Sequence, residues 1–198
     1  MQNVKLEIDL KKNIELFIKR EDLLHPIISG NKFRKLKYNI EAAKKANQST
    51  LLTFGGAFSN HILWVGGAGA EFGFKTIGII RGEELENKMD ENPTLAHAKE
   101  LGMQFYFVSR TAYRDKESSS FISNLHEKFG DFYLVPEGGT NDWAIKGCEE
   151  ILTPIDKNYF SHITCAVGTG GTISGLINSS GNNQQLIGFS SLKGAFLS

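Results

Sequence analysis

The chain has 198 residues, and its 22 basic and 22 acidic side chains leave no formal net charge. Nucleic-acid binders and membrane-surface binders need a basic excess to meet phosphate charge, so this balance argues against both classes. The sequence is 40% hydrophobic and contains only two cysteines, Cys148 and Cys165. This composition favours a packed core in a reducing compartment and excludes a disulfide scaffold. No apolar run approaches the roughly 20 residues of a membrane helix.

Short apolar runs that are typical of β-strands alternate with helix-like stretches along the chain. The predicted strands occupy residues 14–19, 50–54, 76–80, 103–108, 132–135, 162–167 and 186–190. The predicted helices occupy residues 33–46, 60–72, 93–101, 117–129, 142–152 and 171–178. The regular alternation between 50 and 135 predicts an α/β fold, in which a parallel sheet carries helices on its faces. The near-continuous apolar character of these runs is typical of strands buried on both sides.

The two ends of the chain indicate a second unit. We predict that residues 47–145 form a small contiguous domain, inserted into a larger domain that residues 1–46 and 146–198 build together. This larger domain would have only about three predicted strands and two helices, so its core would be marginal at best. The alternative is that all seven predicted strands form one sheet.

Glycine is enriched, at 21 of 198 residues, and four polar segments beside predicted strands contain glycines. These segments are 29–32 (SGNK), 55–61 (GGAFSNH), 137–141 (EGGTN) and 168–172 (GTGGT). Three of them follow a strand, and ligands of parallel α/β sheets bind outside the carboxyl ends of the strands. We therefore expect these loops to border a ligand-binding crevice.

The last segment predicts an anion-binding loop. Consecutive backbone N–H groups at a helix start attract an anion, and the positive end of the helix dipole adds to this attraction. Gly168, Gly170 and Gly171 would let the backbone approach phosphate oxygens closely, while Thr169 and Thr172 would add hydroxyl donors. The spacing fits neither a Walker loop nor a dinucleotide-binding fingerprint. An ordinary tight turn is the alternative interpretation.

Lys32 is the candidate lysine for Schiff-base chemistry. It stands beside a Gly-Asn turn at a predicted helix start, where the helix dipole disfavours a cation. A lysine in such a position has a lowered pKa, and its neutral amine can attack a carbonyl to form an imine. A solvated surface charge is the alternative for this residue, as it is for Lys35 and Lys37.

A second polar group follows the strand at 50–54. Ser59 is a natural helix N-cap, and in the simplest interpretation Asn60 is a polar first-turn residue and His61 is exposed. The helix that follows carries three glycines, each costing about 1 kcal/mol relative to alanine in a helix interior. These glycines are Gly66, Gly67 and Gly69. They indicate either close helix packing or the close approach of a bound group.

Other catalytic arrangements find little support in the sequence. The five histidines and two cysteines show no metal-ligand spacing, so no metal site is predicted. A Ser-His-Asp hydrolase built on Ser59 is possible in principle, but the short separation of Ser59 from His61 is not triad geometry.

Taken together, the segments resemble the pyridoxal-phosphate enzymes of the tryptophan-synthase-β-like fold (fold type II). They are most similar to the 1-aminocyclopropane-1-carboxylate deaminase/D-cysteine desulfhydrase family. The matching stretches follow the order and approximate spacing of that family, at 18–39, 51–61, 92–103, 134–141 and 167–176. The pair G-N-K-x-R-K-L and G-G-x-x-S-N-H is their specific part. The resemblance implies an α/β fold of twisted parallel sheets with helices on both faces, and pyridoxal 5'-phosphate as the cofactor.

The resemblance also implies roles for individual residues. Lys32 would hold the cofactor aldehyde as a Schiff base and later shuttle protons, and Lys35 would lie near the cofactor phosphate. Ser59 would meet the substrate carboxylate or attack during the reaction, and Asn60 would bond the cofactor's phenolic oxygen. The amides and hydroxyls of 168–172 would bind the phosphate. A small amino acid would then yield ammonia and an oxo acid, and a cysteine substrate would also yield sulfide.

Two departures from the family pattern set the remaining expectations. Phe58 stands where many relatives have a polar residue, and we expect it to tune packing or substrate preference. Relatives also continue well beyond Ser198, so we interpret the chain as a truncated member with an incomplete large domain. It would then lack the partner of the pyridine nitrogen and the substrate-side tyrosines.

Two alternatives therefore stay open. One is a non-catalytic fragment that binds cofactor weakly or acts as an interaction module, and the other is a different fold type II dehydratase or β-replacement enzyme. Full-length relatives are typically cytoplasmic homodimers, and the resemblance implies the same here.

Overall fold

The described part of the chain alternates short strands with helices. The computed structural model describes residues 2–10 and 13–191. Its strands are β1 (Asn3–Lys5), β2 (Phe17–Lys19), β3 (Thr50–Gly56), β4 (Lys75–Arg81), β5 (Met103–Val108), β6 (Tyr133–Val135), β7 (His162–Val167) and β8 (Gln185–Ser190). Its α-helices are α1 (Asn31–Lys45), α2 (Asn60–Phe72), α3 (Pro93–Glu100), α4 (Arg110–Arg114), α5 (Ser119–Phe129), α6 (Asp142–Cys148), α7 (Pro154–Tyr159) and α8 (Gly171–Ser179). Short 3-10 segments occupy Glu21–Leu23, Glu83–Glu91 and Glu137–Gly139.

The described strands form three separate sheets. The central sheet is parallel, with the strand order β5–β4–β3–β6, which confirms the parallel sheet predicted between 50 and 135. β1 and β2 form an antiparallel pair, and β7 and β8 form a parallel pair. The alternative of one sheet that includes all predicted strands is wrong, because neither of these pairs hydrogen-bonds to the central sheet.

The core lies on both faces of the central sheet. Alternate residues of a strand point to opposite sides, and β3 divides its apolar side chains in this way. Leu51 packs with helices α1, α2 and α3, whereas Leu52 and Phe54 pack with α4 and α5. All three side chains are almost completely buried, as expected for a strand covered on both faces.

Two features of the C-terminal third differ from the prediction. The helix predicted over 142–152 ends at Cys148, and a separate short helix, α7, follows it. α7 begins with a capping box, in which Thr153 and Asp156 each bond the other's backbone N–H. This cap starts a new helix axis and explains why the predicted helix does not continue. None of the described helices combines the length and apolar character that crossing a bilayer requires.

Close packing accounts for two of the glycines in α2. A Cβ on Gly67 would stand 2.7 Å from Cγ2 of Ile27, and a Cβ on Gly69 would stand 2.3 Å from Cγ2 of Thr76. Both distances are too short for real side chains, so a larger residue would force these segments apart. The glycines at 67 and 69 therefore allow α2 to pack against its neighbours, which is the first of the two explanations that the sequence offered.

We expect alanine to have opposite effects at two glycines of α2. Gly69→Ala should destabilise the fold by roughly 1–3 kcal/mol, because the new methyl group overlaps Thr76. Gly66→Ala should be neutral or stabilising by up to about 1 kcal/mol, because it gains helix propensity. Its Cβ would make only ordinary contacts of 3.6 and 3.7 Å with Ala98. Urea unfolding of the two variants measures both effects, and equal destabilisation would contradict the packing argument.

Asp156 ties the N-terminal strands to α7. Its carboxylate accepts hydrogen bonds from Asn3 Nδ2 at 2.6 Å and from Lys19 Nζ at 2.7 Å. The backbone N–H of Thr153 donates to the same carboxylate at 2.7 Å. Burial opposes ionisation of Asp156, but the hydrogen bonds from Lys19, Thr153 and Asn3 outweigh it and lower the pKa to about 2.

The Asp156 contacts predict a loss of stability in acid. Because the folded-state pKa lies below the unfolded value of about 3.9, the contribution is present above about pH 4 and is lost as the pH falls toward 2. Asp156→Asn should lower the free energy of unfolding by roughly 1–3 kcal/mol near neutral pH and by less in acid. Asp90→Asn is the matched control, because that carboxylate is 79% exposed, and it should change stability by less than about 0.5 kcal/mol. A deficit in Asp156→Asn that stays constant with pH would contradict this account.

Candidate functional site

Three of the glycine-bearing segments meet around one cavity. The cavity has a volume of about 170 Å³. Its lining includes Asn31, Lys32 and Lys35 from the start of α1, and Gly168, Thr169, Gly170 and Thr172 from the loop after β7 and the start of α8. The segment 137–141 lies beside the cavity, because Lys32 and Lys35 both donate hydrogen bonds to it. The segment 55–61 lies beside 137–141, since a Cβ on Gly139 would stand 3.2 Å from Cε1 of His61.

Lys35 is a buried cation at the centre of this arrangement. It is only 2% exposed, and its Nζ donates to Thr140 Oγ1 at 2.9 Å and to Thr169 Oγ1 at 3.4 Å. The carbonyl oxygen of Gly138 accepts a third hydrogen bond at 3.4 Å. None of the described residues supplies a carboxylate to pair with it, and burial lowers the pKa of Lys35. A buried ammonium group that has no carboxylate partner attracts an anionic ligand strongly.

The start of α8 lies directly against this cation. A Cβ on Gly171 would stand 2.9 Å from Cγ2 of Thr140 and 3.2 Å from Nζ of Lys35. Gly170 precedes the helix with a left-handed φ of 83° and offers no side-chain cap to the first N–H groups. The backbone amides at the helix start and the buried ammonium of Lys35 therefore converge on the same small space. This combination suits a phosphate group.

Lys35 and the start of α8 are together called the anion site. Lys32 lies next to this site, and its environment differs from that of Lys35. Its Nζ donates to the carbonyl oxygen of Gly138 at 3.2 Å, and it stands over the ring of Trp64 at 5.2 Å from the centroid. Burial, and then the positive charge of Lys35, lower the pKa of Lys32 to about 8. At about pH 7 such an amine is neutral about one time in ten, against about one in 3000 for an ordinary lysine. Lys32 is therefore suited to attack a carbonyl carbon.

The structure places Ser59 and Asn60 at the start of α2, outside the lining of the cavity. Ser59 occupies the N-cap position, but its hydroxyl makes no capping hydrogen bond. Asn60 is the first residue of the helix and is exposed. Phe58, just before them, is 77% exposed, and its influence on substrate preference stays a prediction. The contact between α2 and the lysines is made one turn later, where the ring of Trp64 lies beside the Nζ of Lys32.

The expectation of an exposed His61 is wrong, because this ring packs against the central sheet. His61 is only 4% exposed, and its Nε2 lies 2.8 Å from Oγ1 of Thr53 on β3. The hydroxyl of Thr53 donates to the carbonyl oxygen of Val135 at 2.8 Å, so His61 Nε2–H donates to Thr53. Burial, and then the charges of Lys32 and Lys35, lower the pKa of His61 to about 3. The ring is therefore neutral and adds no third positive charge to the site.

Four residues at the site were not assigned roles from the sequence. The side-chain amide of Asn31 donates to Thr172 Oγ1 at 2.7 Å, and the hydroxyls of Thr140 and Thr169 lie 2.5 Å apart. The other unassigned groups are the Gly138 carbonyl and the Trp64 ring. Asn31, Gly138 and Thr140 lie in segments that the glycine pattern marked, whereas Trp64 lies in a helix turn that no motif marks. The described residues contain no group of three His, Cys, Asp or Glu side chains that could hold a metal.

Known proteins resemble this chain in both sequence and structure. Residues 5–188 match the family model described as pyridoxal-phosphate dependent enzyme. A Thermotoga maritima protein named provisionally as a 1-aminocyclopropane-1-carboxylate deaminase is 34% identical over 173 residues, which make up 84% of this chain and 54% of that protein. The mitochondrial bifunctional D-cysteine desulfhydrase/1-aminocyclopropane-1-carboxylate deaminase of Arabidopsis thaliana is 31% identical over 183 residues, with 84% of this chain and 45% of that protein covered.

A solved structure described as an ACC deaminase homologue has a similar fold. It superposes with a TM-score of 0.70 at 26% sequence identity, over 89% of this chain and 55% of the other. The chain thus spans about half the length of the curated relatives that it matches.

The geometry of the anion site predicts a specific dependence on Lys35. Inorganic phosphate should raise the unfolding temperature of the chain, because a ligand that binds only the folded state stabilises it. Lys35→Met should lose this rise, yet be at least as stable as the parent without phosphate, because an apolar side chain replaces a buried unpaired cation. Lys37→Met is the control, since Lys37 is exposed and pairs with Glu150 at 2.6 Å. Thermal unfolding with and without phosphate measures both effects, and an undiminished rise in Lys35→Met would contradict the assignment.

Proposed function

The chain belongs to the family of pyridoxal-phosphate dependent enzymes, and we propose that it is part of a deaminase or desulfhydrase. The proposed substrates are small amino acids of the 1-aminocyclopropane-1-carboxylate or D-cysteine type, as the names of its relatives suggest. One observation carries the proposal: two lysines of α1 lie at one cavity, one as a buried cation beside a helix start and the other as an amine with a lowered pKa.

The residues present fit the two reactive features of pyridoxal phosphate, a phosphate and an aldehyde. The phosphate would be held by the buried ammonium of Lys35, the amides at the start of α8 and the hydroxyls of Thr169 and Thr172. Gly171 supports this assignment, because a side chain there would fill the space between Lys35 and Thr140. The aldehyde would meet Lys32, whose amine lies beside this anion site.

When bound, pyridoxal phosphate supplies an electron-accepting ring that makes the bonds at the substrate's α-carbon easier to break. Lys32 contributes an amine that loses its proton near physiological pH, so it can act as a nucleophile and as a base. The Gly138 carbonyl holds the Nζ of Lys32 at 3.2 Å and orients it.

Ser59 and Asn60 are proposed to serve the substrate and the cofactor from the start of α2. The Ser59 hydroxyl is not used for capping, so it is available to a substrate carboxylate. The amides of the first turn of α2 lie at the positive end of the helix dipole and favour an anion. The exposed Asn60 side chain is proposed to donate to the phenolic oxygen of the cofactor. The neutral His61 beneath them leaves Lys32 as the group that moves protons.

Activity is proposed for the whole protein of which such a chain forms about half, by comparison with the relatives. We also propose that residues 47–145 form one domain, and that 1–46 and 146–198 form a partial larger domain. The separation of the central sheet from the β7–β8 pair supports this division. A homodimeric state and a cytoplasmic location stay predictions.

A second candidate function is a non-catalytic module that binds other protein surfaces. The observation that favours it is the exposed apolar character of β8, where Ile187 is 41% and Phe189 is 62% exposed. Solvent-exposed side chains of this kind on a strand are frequent at interaction surfaces. The two candidates differ in whether the chain captures the cofactor covalently.

Covalent capture of pyridoxal phosphate by Lys32 tests the proposed function. We expect a yellow absorbance band on mixing, which borohydride fixes onto the peptide that contains Lys32. The rate of capture should rise with pH through about 8, because neutral amine replaces ammonium across that range. Lys32→Ala should abolish the fixed label, and Lys37→Ala should retain it. Absence of the band in a folded sample would favour the non-catalytic candidate.

Substrate assays follow if the cofactor is captured. The amino acids to compare are D-cysteine, 1-aminocyclopropane-1-carboxylate, serine and threonine, with ammonia, oxo acid and sulfide as the products measured. Release of sulfide or of an oxo acid from the first two would support the proposed class. Turnover confined to serine or threonine would identify a dehydratase or a β-replacement enzyme instead.

A further inference from the structure

Trp64 lies against the amine of Lys32, although no sequence motif marks it. The Nζ of Lys32 stands 5.2 Å from the centroid of the indole ring, within the range of a cation–π interaction. The ring is half-buried and packs against the apolar cluster that α1, α2 and α3 form on the central sheet. Trp64 is thus fixed by the core on one side and touches the reactive amine on the other.

The position of Trp64 on α2 explains how it reaches the site. It lies four residues after Asn60, so both residues share one face of the helix. Helical side chains lean toward the N-terminus of their own helix. The indole therefore leans toward the Ser59–Asn60 end of α2, while its face lies at the Nζ of Lys32.

Lys32 has few other partners for its charge. Among the described residues its Nζ has one hydrogen-bond acceptor, the Gly138 carbonyl oxygen at 3.2 Å, and no acid pairs with it. The titratable groups that act on it are the Lys35 ammonium and the Cys148 thiol, while the His61 ring is neutral. The charged form of Lys32 is therefore stabilised by one carbonyl group and by the face of one aromatic ring.

We propose that Trp64 is a positioning residue for Lys32. The indole face of Trp64 holds the cofactor-free Nζ of Lys32 against the Gly138 carbonyl oxygen and stabilises its ammonium form. This inference rests on the proposed function, because it concerns the same lysine, but it describes a property of the chain without cofactor. Burial and Lys35 drive the proton away from Lys32, and the indole opposes them. Trp64 thereby sets the pH range over which the amine becomes a nucleophile.

Tryptophan fluorescence tests the contact directly, without cofactor or activity. The chain has two tryptophans, Trp64 and the partly exposed Trp143, so Trp143→Phe leaves Trp64 as the only indole. Its emission should change with pH with a midpoint near 8, as Lys32 loses its proton over the ring. Adding Lys32→Met should abolish this transition. Adding Lys35→Met should keep it and move its midpoint upward, because a neighbouring positive charge is removed.

The pH profile of pyridoxal phosphate capture provides the second measurement. In Trp64→Leu the midpoint of the capture rate should fall by roughly half a unit to one unit, since the ring no longer stabilises the ammonium. Trp64→Phe keeps an aromatic face and should move the midpoint less. A structural defect would instead slow capture at every pH and leave the midpoint unchanged.

These outcomes separate the inference from the proposed function. If the parent chain fails to capture pyridoxal phosphate, the fluorescence transition still tests the contact between Trp64 and Lys32. A flat fluorescence profile in the folded Trp143→Phe chain would overturn the inference even if capture is normal. An unchanged capture midpoint in Trp64→Leu would also overturn it.

Discussion

The pair of lysines at the start of α1 is the constraint from which the rest of the site follows. Lys32 and Lys35 lie one helical turn apart on the same face, and both donate to the carbonyl of Gly138. Lys35 is buried among the hydroxyls of Thr140 and Thr169, and none of the described residues gives its ammonium group an anionic partner. Burial, and then the positive charge of Lys35, lower the pKa of Lys32 to about 8, so this amine loses its proton near physiological pH. We propose that two chemically identical side chains thereby acquire different roles from their surroundings.

The lysines keep these positions because further contacts hold α1 in place. The carboxylate of Glu150 accepts hydrogen bonds from Lys37 Nζ at 2.6 Å and from Tyr38 Oη at 2.5 Å. Gly147 of α6 approaches α1 so closely that a Cβ would stand 1.9 Å from the carbonyl oxygen of Arg34. α1 and α6 therefore pack as one unit. Since α6 leads toward β7 and α8, this packing brings the lysines to the loop at 168–172, although more than 130 residues separate them in sequence.

The sequence predicts the parts of this site that depend on chain direction and fails for those that depend on side-chain packing. The loops at 137–141 and 168–172 could be placed in advance, because the carboxyl ends of parallel strands are where such loops meet. The contact of Trp64 with Lys32 could not, because it depends on how α2 packs beside α1. The burial of His61 is not predicted for the same reason, because it depends on the packing of the ring against Thr53 of β3. The sequence does not predict the short elements β1 and α7, because each has too few residues to show a periodic pattern.

A departure from ordinary folding rules at this cavity gives an argument for function that is independent of any relative. The central sheet follows those rules, with apolar strands buried on both faces. At the cavity, by contrast, Lys35 is buried, and none of the described residues gives it an acid partner. An apolar residue in place of a buried unpaired cation would make the ligand-free chain more stable. We therefore propose that the site around this cation and the open helix start is organised around a bound anion, since local violations of this kind persist where a ligand compensates for them.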